Sequence, residues 1–209
     1  MRKLFEYGGV IAGFILIAFG VASIALSANG RTTVRDSVSA EAIVGTDDMT
    51  PSAIKEEAAA AGLKNVDLPT CSVAGKAINS GTRARCFAQY MRIHTLEATG
   101  GQVYAEMGRY LDAAGKPTND EKAAAIDPKT KKRVENGARN IWVNETALAT
   151  ALNVSYMAEQ LALFGLVVGI AFLLAGGGFL ILAIGGALGV PLLGRKKTTA
   201  PGGVPQPTL

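Results

Sequence analysis

Few side chains in this sequence are suited to acid–base or metal chemistry, and they centre on one histidine. His94 is the only histidine among the 209 residues. Glu97 follows it by about one helical turn, and together with Glu106 it could form a polar pocket. A histidine on an apolar helical stripe is more often a packed, hydrogen-bonded core residue than a ligand. Both interpretations are open at the level of sequence.

A single histidine is too few for the common metal enzymes. One chain cannot supply the two histidines and one carboxylate of an iron oxygenase, nor the His-Glu-x-x-His motif of a zinc protease. The sequence also contains no Gly-x-Ser-x-Gly nucleophile elbow, no phosphate-binding loop and no Gly-x-Gly-x-x-Gly after a strand. We therefore expect no catalytic residue, no metal and no cofactor, and a protein that is not an enzyme.

The two cysteines, Cys71 and Cys86, have a chemistry of their own. Together with one histidine they are too few for a structural zinc site with four ligands. Both lie in the part of the chain that the hydropathy pattern, described below, assigns to the outside of the cell, where paired thiols usually oxidise. We expect a disulfide that closes a loop of about 15 residues and contributes about 3 kcal/mol. Two unrelated buried thiols are the alternative.

Two helices are predicted around these residues. A hydroxyl cap and a proline at Thr50-Pro51 predict the start of the first helix, and Gly62 predicts its end. The second helix is predicted from residue 82 to residue 99, before a pair of glycines. Its apolar stripe consists of Cys86, Phe87, Tyr90, Met91 and His94.

The rest of the middle region is predicted less sharply. Residues 63–80 form an irregular connector or a short strand, and the apolar spacing of residues 103–114 predicts another helical piece. From Glu145 onward, helical spacing continues without a breaker into the second apolar run. With these elements in place, a small ligand or lipid could bind near Tyr90, His94 and Tyr104.

The apolar residues are concentrated at the two ends of the chain. Residues 8–28 contain no charged side chain and are long enough, as a helix, to cross a bilayer once. Residues 161–194 form a second uncharged run, which is longer than one crossing requires and shorter than two. We interpret it as one long, tilted helix. A re-entrant hairpin that folds at residues 176–178 is the alternative.

The charges that flank the apolar runs predict the orientation of the chain. Arg2 and Lys3 precede the first run, and Arg195, Lys196 and Lys197 follow the second, as expected of cytoplasmic ends. Residues 31–159 carry 16 basic and 16 acidic residues, so the formal charge of +4 comes from the five flanking basic residues less Glu6. The basic balance therefore reflects membrane topology, and no nucleic-acid partner is expected.

The predicted fold is that of a mainly α membrane protein, with two transmembrane helices flanking a small, mostly helical extracytoplasmic domain that contains one disulfide. A cleaved signal peptide is the competing interpretation for residues 1–28, although the apolar run is long for one. The predicted segments are a cytoplasmic N-terminus at 1–7, transmembrane helix 1 at 8–29, the extracytoplasmic domain at 30–158, a long transmembrane helix 2 at 159–194 and a disordered cytoplasmic tail at 195–209.

Glycine spacing within the apolar runs predicts close helix packing. A Gly-x-x-x-Gly pattern lets two backbones approach closely in lipid. The two runs could pack on each other or on another membrane protein. Neither run contains an ionisable side chain, which argues against an ion or proton pathway. The glycines in this pattern are Gly9, Gly13, Gly165, Gly169, Gly185 and Gly189.

Three stretches carry a resemblance to known sequences: residues 33–43, residues 81–107, with Tyr90-Met91-Arg92-Ile93-His94, and residues 145–148. In these stretches the chain resembles a group of uncharacterised actinobacterial membrane proteins with the same two-span plan. Members of that group are sometimes labelled aromatic ring-opening dioxygenases, an activity that needs a metal centre whose ligands this chain lacks. The resemblance therefore implies a topology and a lineage, and no activity.

Together these observations predict a non-enzymatic protein of the plasma membrane, with both termini in the cytoplasm. We expect an accessory or scaffold subunit of a cell-envelope or membrane complex. Its expected partners are membrane lipid and other membrane proteins or a second copy of itself. The alternative function is that of an extracytoplasmic sensor, or of a membrane protein that binds a small ligand or lipid.

Overall fold

The structure is a computed structural model that describes residues 2–185, with side chains from residue 6 onward. Gly189, the end of the second apolar run and the predicted tail lie outside these residues. The described chain folds into two units. The helix-pair unit contains residues 2–25 and 165–185, and the disulfide unit contains residues 26–164. The elements are helices α1 (Arg2–Ala40), α2 (Pro51–Ala60), α3 (Gly81–Ala98) and α4 (Gly137–Ile184), a 3-10 turn (Tyr104–Glu106) and strands β1 (Tyr110–Leu111) and β2 (Pro117–Thr118).

In the helix-pair unit, α1 and α4 pack on each other through glycines. A Cβ atom added at Gly13 would lie 2.9 Å from the carbonyl oxygen of Gly176, and one added at Gly20 would lie 2.8 Å from that of Gly169. No real side chain tolerates such separations, so glycine at these positions sets how closely the two backbones approach. The Ser23 hydroxyl also donates a 2.7 Å hydrogen bond to the carbonyl oxygen of Gly165.

The outer faces of these two helices are apolar. Only 17% of the most apolar window of each helix is buried, whereas a core helix of a water-soluble protein would be mostly covered. Both helices are therefore long and apolar enough to cross a membrane. Helix α4 continues through Gly176, Gly177 and Gly178, so the hairpin alternative for the second run is wrong.

In the disulfide unit, capping side chains fix where α2 and α3 begin. The Thr50 hydroxyl accepts a hydrogen bond from the Ala53 N–H at 3.2 Å, directly before the proline that opens α2. The Ser80 hydroxyl accepts one from the Arg83 N–H in the same way at α3. Gly62, just after α2, has a φ of +69°, a conformation that glycine adopts without strain. The two predicted helices are present, within about two residues of their expected limits.

The core of the disulfide unit lies around α2 and α3. The irregular connector between them crosses this core and forms isolated bridges to residues 44 and 45. The predicted disulfide is confirmed, since Cys71 in the connector is bonded to Cys86 in the second turn of α3 with a Cα–Cα distance of 6.2 Å. The largest fully buried side chains are those of Tyr90, Ile54, Ile78, Ile93 and Val73.

The helix predicted over residues 103–114 is wrong. Only a single 3-10 turn forms there, and β1 then pairs with β2 in an antiparallel hairpin. The Asp112 carboxylate accepts hydrogen bonds from the N–H groups of Ala114 and Lys116 at 2.9 and 2.8 Å, and Gly115 adopts a φ of +76°. This turn chemistry competes with the helical spacing of the apolar residues and prevails.

Candidate functional site

The buried face of His94 is the most unusual polar site among the described residues. Its Nε2 atom is shielded from solvent and makes no hydrogen bond. Two carboxylate oxygens lie close to it, Oε1 of Glu57 at 3.5 Å and Oδ2 of Asp48 at 3.6 Å. Neither contact is a hydrogen bond, so a buried polar atom faces two acceptors without a satisfied partner.

Three parts of the fold bring these side chains together. His94 lies on α3, and Glu57 lies on α2, which packs against α3 through the fully buried Ile54. Asp48 lies in the turn that precedes α2, where its carbonyl oxygen accepts a 2.7 Å hydrogen bond from the Thr50 N–H. Thr50 therefore caps α2 with its hydroxyl and holds the Asp48 backbone with its N–H group.

The site has an excess of negative charge. The pKa of Glu57 is raised from 4.5 to about 7, first by burial, then by hydrogen bonding to Glu97, and finally by the negative charges of Glu97 and Asp48. All of these influences raise the pKa, and none comes from a basic side chain. A proton on Glu57 or a bound cation would each reduce this repulsion.

The arrangement is suited to holding a proton or a cation. The ligand atoms of Asp48, Glu57 and His94 all lie within 4.8 Å of one another. Imidazole nitrogen and carboxylate oxygen are ordinary ligands of divalent metals. Neither cysteine is available as a thiol nucleophile, because both are in the disulfide.

The three residues of the predicted ligand pocket have different surroundings. The Tyr90 ring is completely buried, its pKa is raised by burial, and its hydroxyl donates a 2.7 Å hydrogen bond to the Cys71 carbonyl oxygen. Tyr104 is 41% exposed, and the guanidinium of Arg139 lies 4.1 Å from its ring centroid. Tyr90 thus belongs to the core and Tyr104 to the surface. Ligand binding at these residues stays a prediction.

The sequence suggested Glu97 and Glu106 as the carboxylates of a polar pocket with His94. Glu97 interacts with Glu57, whereas Glu106 accepts a 2.9 Å hydrogen bond from the Val103 N–H and caps its own 3-10 turn. Asp48 and Glu57 come from distant parts of the sequence, so no short-range spacing could have indicated them. Only the packing of α2 on α3 brings them to the histidine.

The glycines of the predicted packing motif have unequal roles. Gly13 and Gly169 lie in the contact between α1 and α4, Gly9 is buried, and the Gly165 carbonyl accepts the Ser23 hydrogen bond. A Cβ atom at Gly185 would have only its own helix, at Ile181, within 4 Å.

The four-residue motif missed two glycines of the contact, Gly20 and Gly176. Gly20 follows Gly13 by seven residues, and Gly176 follows Gly169 by seven residues. In a packed helix pair, residues seven apart lie on the same face of their helix. A search for a seven-residue spacing would therefore have found them.

A second polar feature of the disulfide unit is a basic cavity of about 500 Å³. Arg31 and Arg35 border it from α1, and Arg83 borders it from the first turn of α3. The α3 N-terminus beside it is already occupied, because the Glu159 carboxylate accepts hydrogen bonds from the Thr82 N–H and hydroxyl at 2.8 and 3.2 Å.

Comparison with known proteins assigns no family to this fold. The chain matches no protein-family model, no curated protein and no solved structure. Its function must therefore be argued from the geometry described above.

Proposed function

We propose that the protein is a non-enzymatic integral membrane protein, an accessory or scaffold subunit of a cell-envelope or membrane complex. The observation that carries this proposal is the apolar surface left on α1 and α4 after they have packed on each other. An apolar surface of this extent is stable in lipid or against a partner, and not in water. Lipid and other membrane proteins, or a second copy of the chain, are the partners that fit it.

Two adjacent glycines favour a protein partner in addition to lipid. A Cβ atom at Gly177 or at Gly178 would have nothing within 4 Å. A glycine inside a helix costs about 1 kcal/mol relative to alanine, and the contact between α1 and α4 does not use these two. Close approach of a further helix would give them a role.

The proposed location is the plasma membrane, with both termini in the cytoplasm and residues 30–158 outside the cell. Basic residues flank both apolar runs on their cytoplasmic sides in this arrangement. The disulfide between Cys71 and Cys86 fits an oxidising compartment. The glycine contacts between α1 and α4 support an uncleaved first helix over a removed signal peptide.

The basic cavity supports contact with anionic lipid. Arg31 and Arg35 follow directly after the apolar part of α1, which is where lipid headgroups lie in the proposed topology. Arginine side chains there could pair with headgroup phosphates. The proposed resemblance to two-span actinobacterial membrane proteins implies the same topology.

The proposal is tested by purification from native membranes at native expression level, followed by cross-linking mass spectrometry. We expect a co-purifying membrane protein or a homo-oligomer, and Gly177→Leu should reduce its recovery. Ala175→Leu is the matched control, because Ala175 is an exposed small residue on another side of the same helix. A monodisperse monomer without any co-purifying protein would contradict the proposal.

The alternative proposal is an extracytoplasmic sensor, or a membrane protein that binds a small ligand or lipid. The observation in its favour is the buried, unpartnered Nε2 atom of His94 between two carboxylates. The two proposals differ in the effect of Gly177→Leu, which should reduce recovery of a partner but leave ligand binding by the disulfide unit intact.

A further inference from the structure

We propose that Asp48, Glu57 and His94 form a binding site for a divalent transition-metal ion, with Zn²⁺ as the ion that fits best. This inference does not rest on the proposed membrane role. It revises the expectation from sequence, which considered only sites built from several histidines or cysteines. The site contains one nitrogen ligand and two carboxylates, contributed by a turn, α2 and α3.

The separations of the ligand atoms agree with a metal site. Nitrogen and carboxylate ligands lie about 2.1 Å from Zn²⁺, so two ligands at corners of a tetrahedron are about 3.4 Å apart. The Nε2 atom of His94 lies 3.5 Å from Oε1 of Glu57 and 3.6 Å from Oδ2 of Asp48. Both values are close to a tetrahedral edge and unsuited to hydrogen bonding. An ion could therefore contact all three atoms with small movements of the side chains.

The polarity of the site also favours a cation. The buried Nε2 atom lacks a hydrogen-bond partner, and leaving such an atom unsatisfied costs free energy. A neutral imidazole nitrogen satisfies its lone pair when it binds a metal. Glu97 lies outside the set of ligand atoms but hydrogen-bonds to Glu57, so it could orient the Glu57 carboxylate toward the ion.

The ligand types select among divalent cations. Ca²⁺ and Mg²⁺ prefer oxygen ligands alone, so a buried histidine nitrogen disfavours both. Zn²⁺ accepts a mixed set of nitrogen and oxygen ligands, and three protein ligands leave a fourth position for water or another group. Mn²⁺ accepts similar ligands with lower affinity. The expected order of affinity is therefore Zn²⁺, then Mn²⁺, then Ca²⁺ and Mg²⁺.

The test measures Zn²⁺ binding to the full-length protein in detergent micelles. The purification tag must contain no histidine, and the protein is stripped with a chelator before titration calorimetry and elemental analysis. We expect one Zn²⁺ per chain and a melting temperature that rises with Zn²⁺. His94→Gln, Asp48→Asn and Glu57→Gln should each weaken binding by about tenfold or more and reduce the rise in melting temperature.

Two neighbouring residues provide matched controls. Asp47 and Glu56 are exposed, adjacent to the proposed ligands in sequence and outside the cluster. Asp47→Asn and Glu56→Gln should therefore leave affinity and stoichiometry unchanged. Far-ultraviolet circular dichroism, together with mass spectrometry of the disulfide, shows whether each variant is folded.

Three outcomes would overturn the proposal. The first is the absence of stoichiometric Zn²⁺ in the folded wild-type protein. The second is binding that persists unchanged in His94→Gln, because the ion would then be held by other groups. The third is an equal loss of binding in the control variants, which would indicate non-specific attraction to surface carboxylates. Cobalt substitution gives an independent readout, since a Co²⁺ absorption spectrum typical of nitrogen and oxygen ligands should disappear in His94→Gln.

Discussion

The two units of this chain bury opposite kinds of surface. In the helix-pair unit, glycines form the contact and large side chains such as Phe14 and Ile181 stay outside, 61% and 72% exposed. In the disulfide unit, large side chains such as Tyr90 and Ile93 are buried, and charged residues cover the surface. Large apolar side chains thus lie on the outside of one unit and in the core of the other.

This difference indicates which interactions stabilise each unit. In the disulfide unit, apolar burial and a covalent bond oppose the entropy of the unfolded chain. Between apolar helices in lipid, close van der Waals packing and interhelical hydrogen bonds must replace the hydrophobic effect. Substitutions that remove a large side chain or a bond should therefore matter in one unit, and substitutions that add a methyl group should matter in the other.

Removal of the disulfide should have the largest effect. A double substitution, Cys71→Ser with Cys86→Ser, should lower the free energy of unfolding by about 3 kcal/mol, because the unfolded chain regains its freedom. Denaturant unfolding followed by fluorescence of Trp142, the only tryptophan and a buried one, measures this. Reduced wild-type protein is the control and should behave like the variant. Unchanged unfolding in both would contradict the importance of the bond.

Adding one methyl group at the helix contact should have the second-largest effect on stability. In Gly176→Ala, the new Cβ would lie 2.7 Å from the Gly13 carbonyl oxygen. The free energy of unfolding of the helix pair should therefore fall by about 1–3 kcal/mol. Gly177→Ala is the control, because its Cβ would meet nothing within 4 Å and alanine is the better helix former. Thermal unfolding of the purified protein in detergent should separate the two. Equal behaviour would mean that close glycine packing does not stabilise the pair.

Loss of one buried hydroxyl should have a smaller effect. Tyr90→Phe removes the hydrogen bond to the Cys71 carbonyl oxygen and should lower the free energy of unfolding by about 1 kcal/mol. Tyr104→Phe serves as the control because Tyr104 is partly exposed and keeps its ring beside Arg139. Denaturant titration of both variants measures the difference. A larger loss for Tyr104→Phe would contradict the assignment of Tyr90 to the core.

A pH dependence caused by Glu57 is expected as well, and solvent screening at this partly exposed carboxyl reduces its size. With chelator present, the native protein keeps a proton on Glu57 up to a pKa of about 7, whereas the unfolded chain loses it near 4.5. Stability should therefore decline as pH rises from 4.5 to 7, and Glu57→Gln should remove this part of the decline. Unfolding at several pH values measures it, with Glu56→Gln as the control. The same slope in wild type and Glu57→Gln would contradict the raised pKa.

The sequence predicted the features that depend on local patterns. A cap and a proline located the start of α2, uninterrupted apolar runs located the two long helices, and the oxidising environment expected for Cys71 and Cys86 indicated their bond. Each of these signals lies within a few neighbouring residues or in the composition of a segment. Local preferences of this kind usually agree with the final fold, so they can be recognised without knowledge of tertiary contacts.

Features that depend on tertiary packing were not predicted. Apolar spacing predicts a helix over residues 103–114, but a hairpin forms over residues 110–118, and the turn at Asp112 decides between the two structures. The carboxylates of Asp48 and Glu57 reach His94 only when α2 packs on α3. A lone histidine in a sequence therefore does not show which carboxylates surround it in the fold.

The central claim is that lipid surrounds α1 and α4 and that the disulfide unit faces the exterior. It is tested most directly by treating intact cells with a membrane-impermeant amine reagent and mapping the modified lysines by mass spectrometry. We predict that Lys129, Lys131 and Lys132, which are exposed, are modified before lysis. Lys196 and Lys197 should be modified only after lysis. Modification of Lys196 and Lys197 in intact cells, or protection of the other three, would contradict the account.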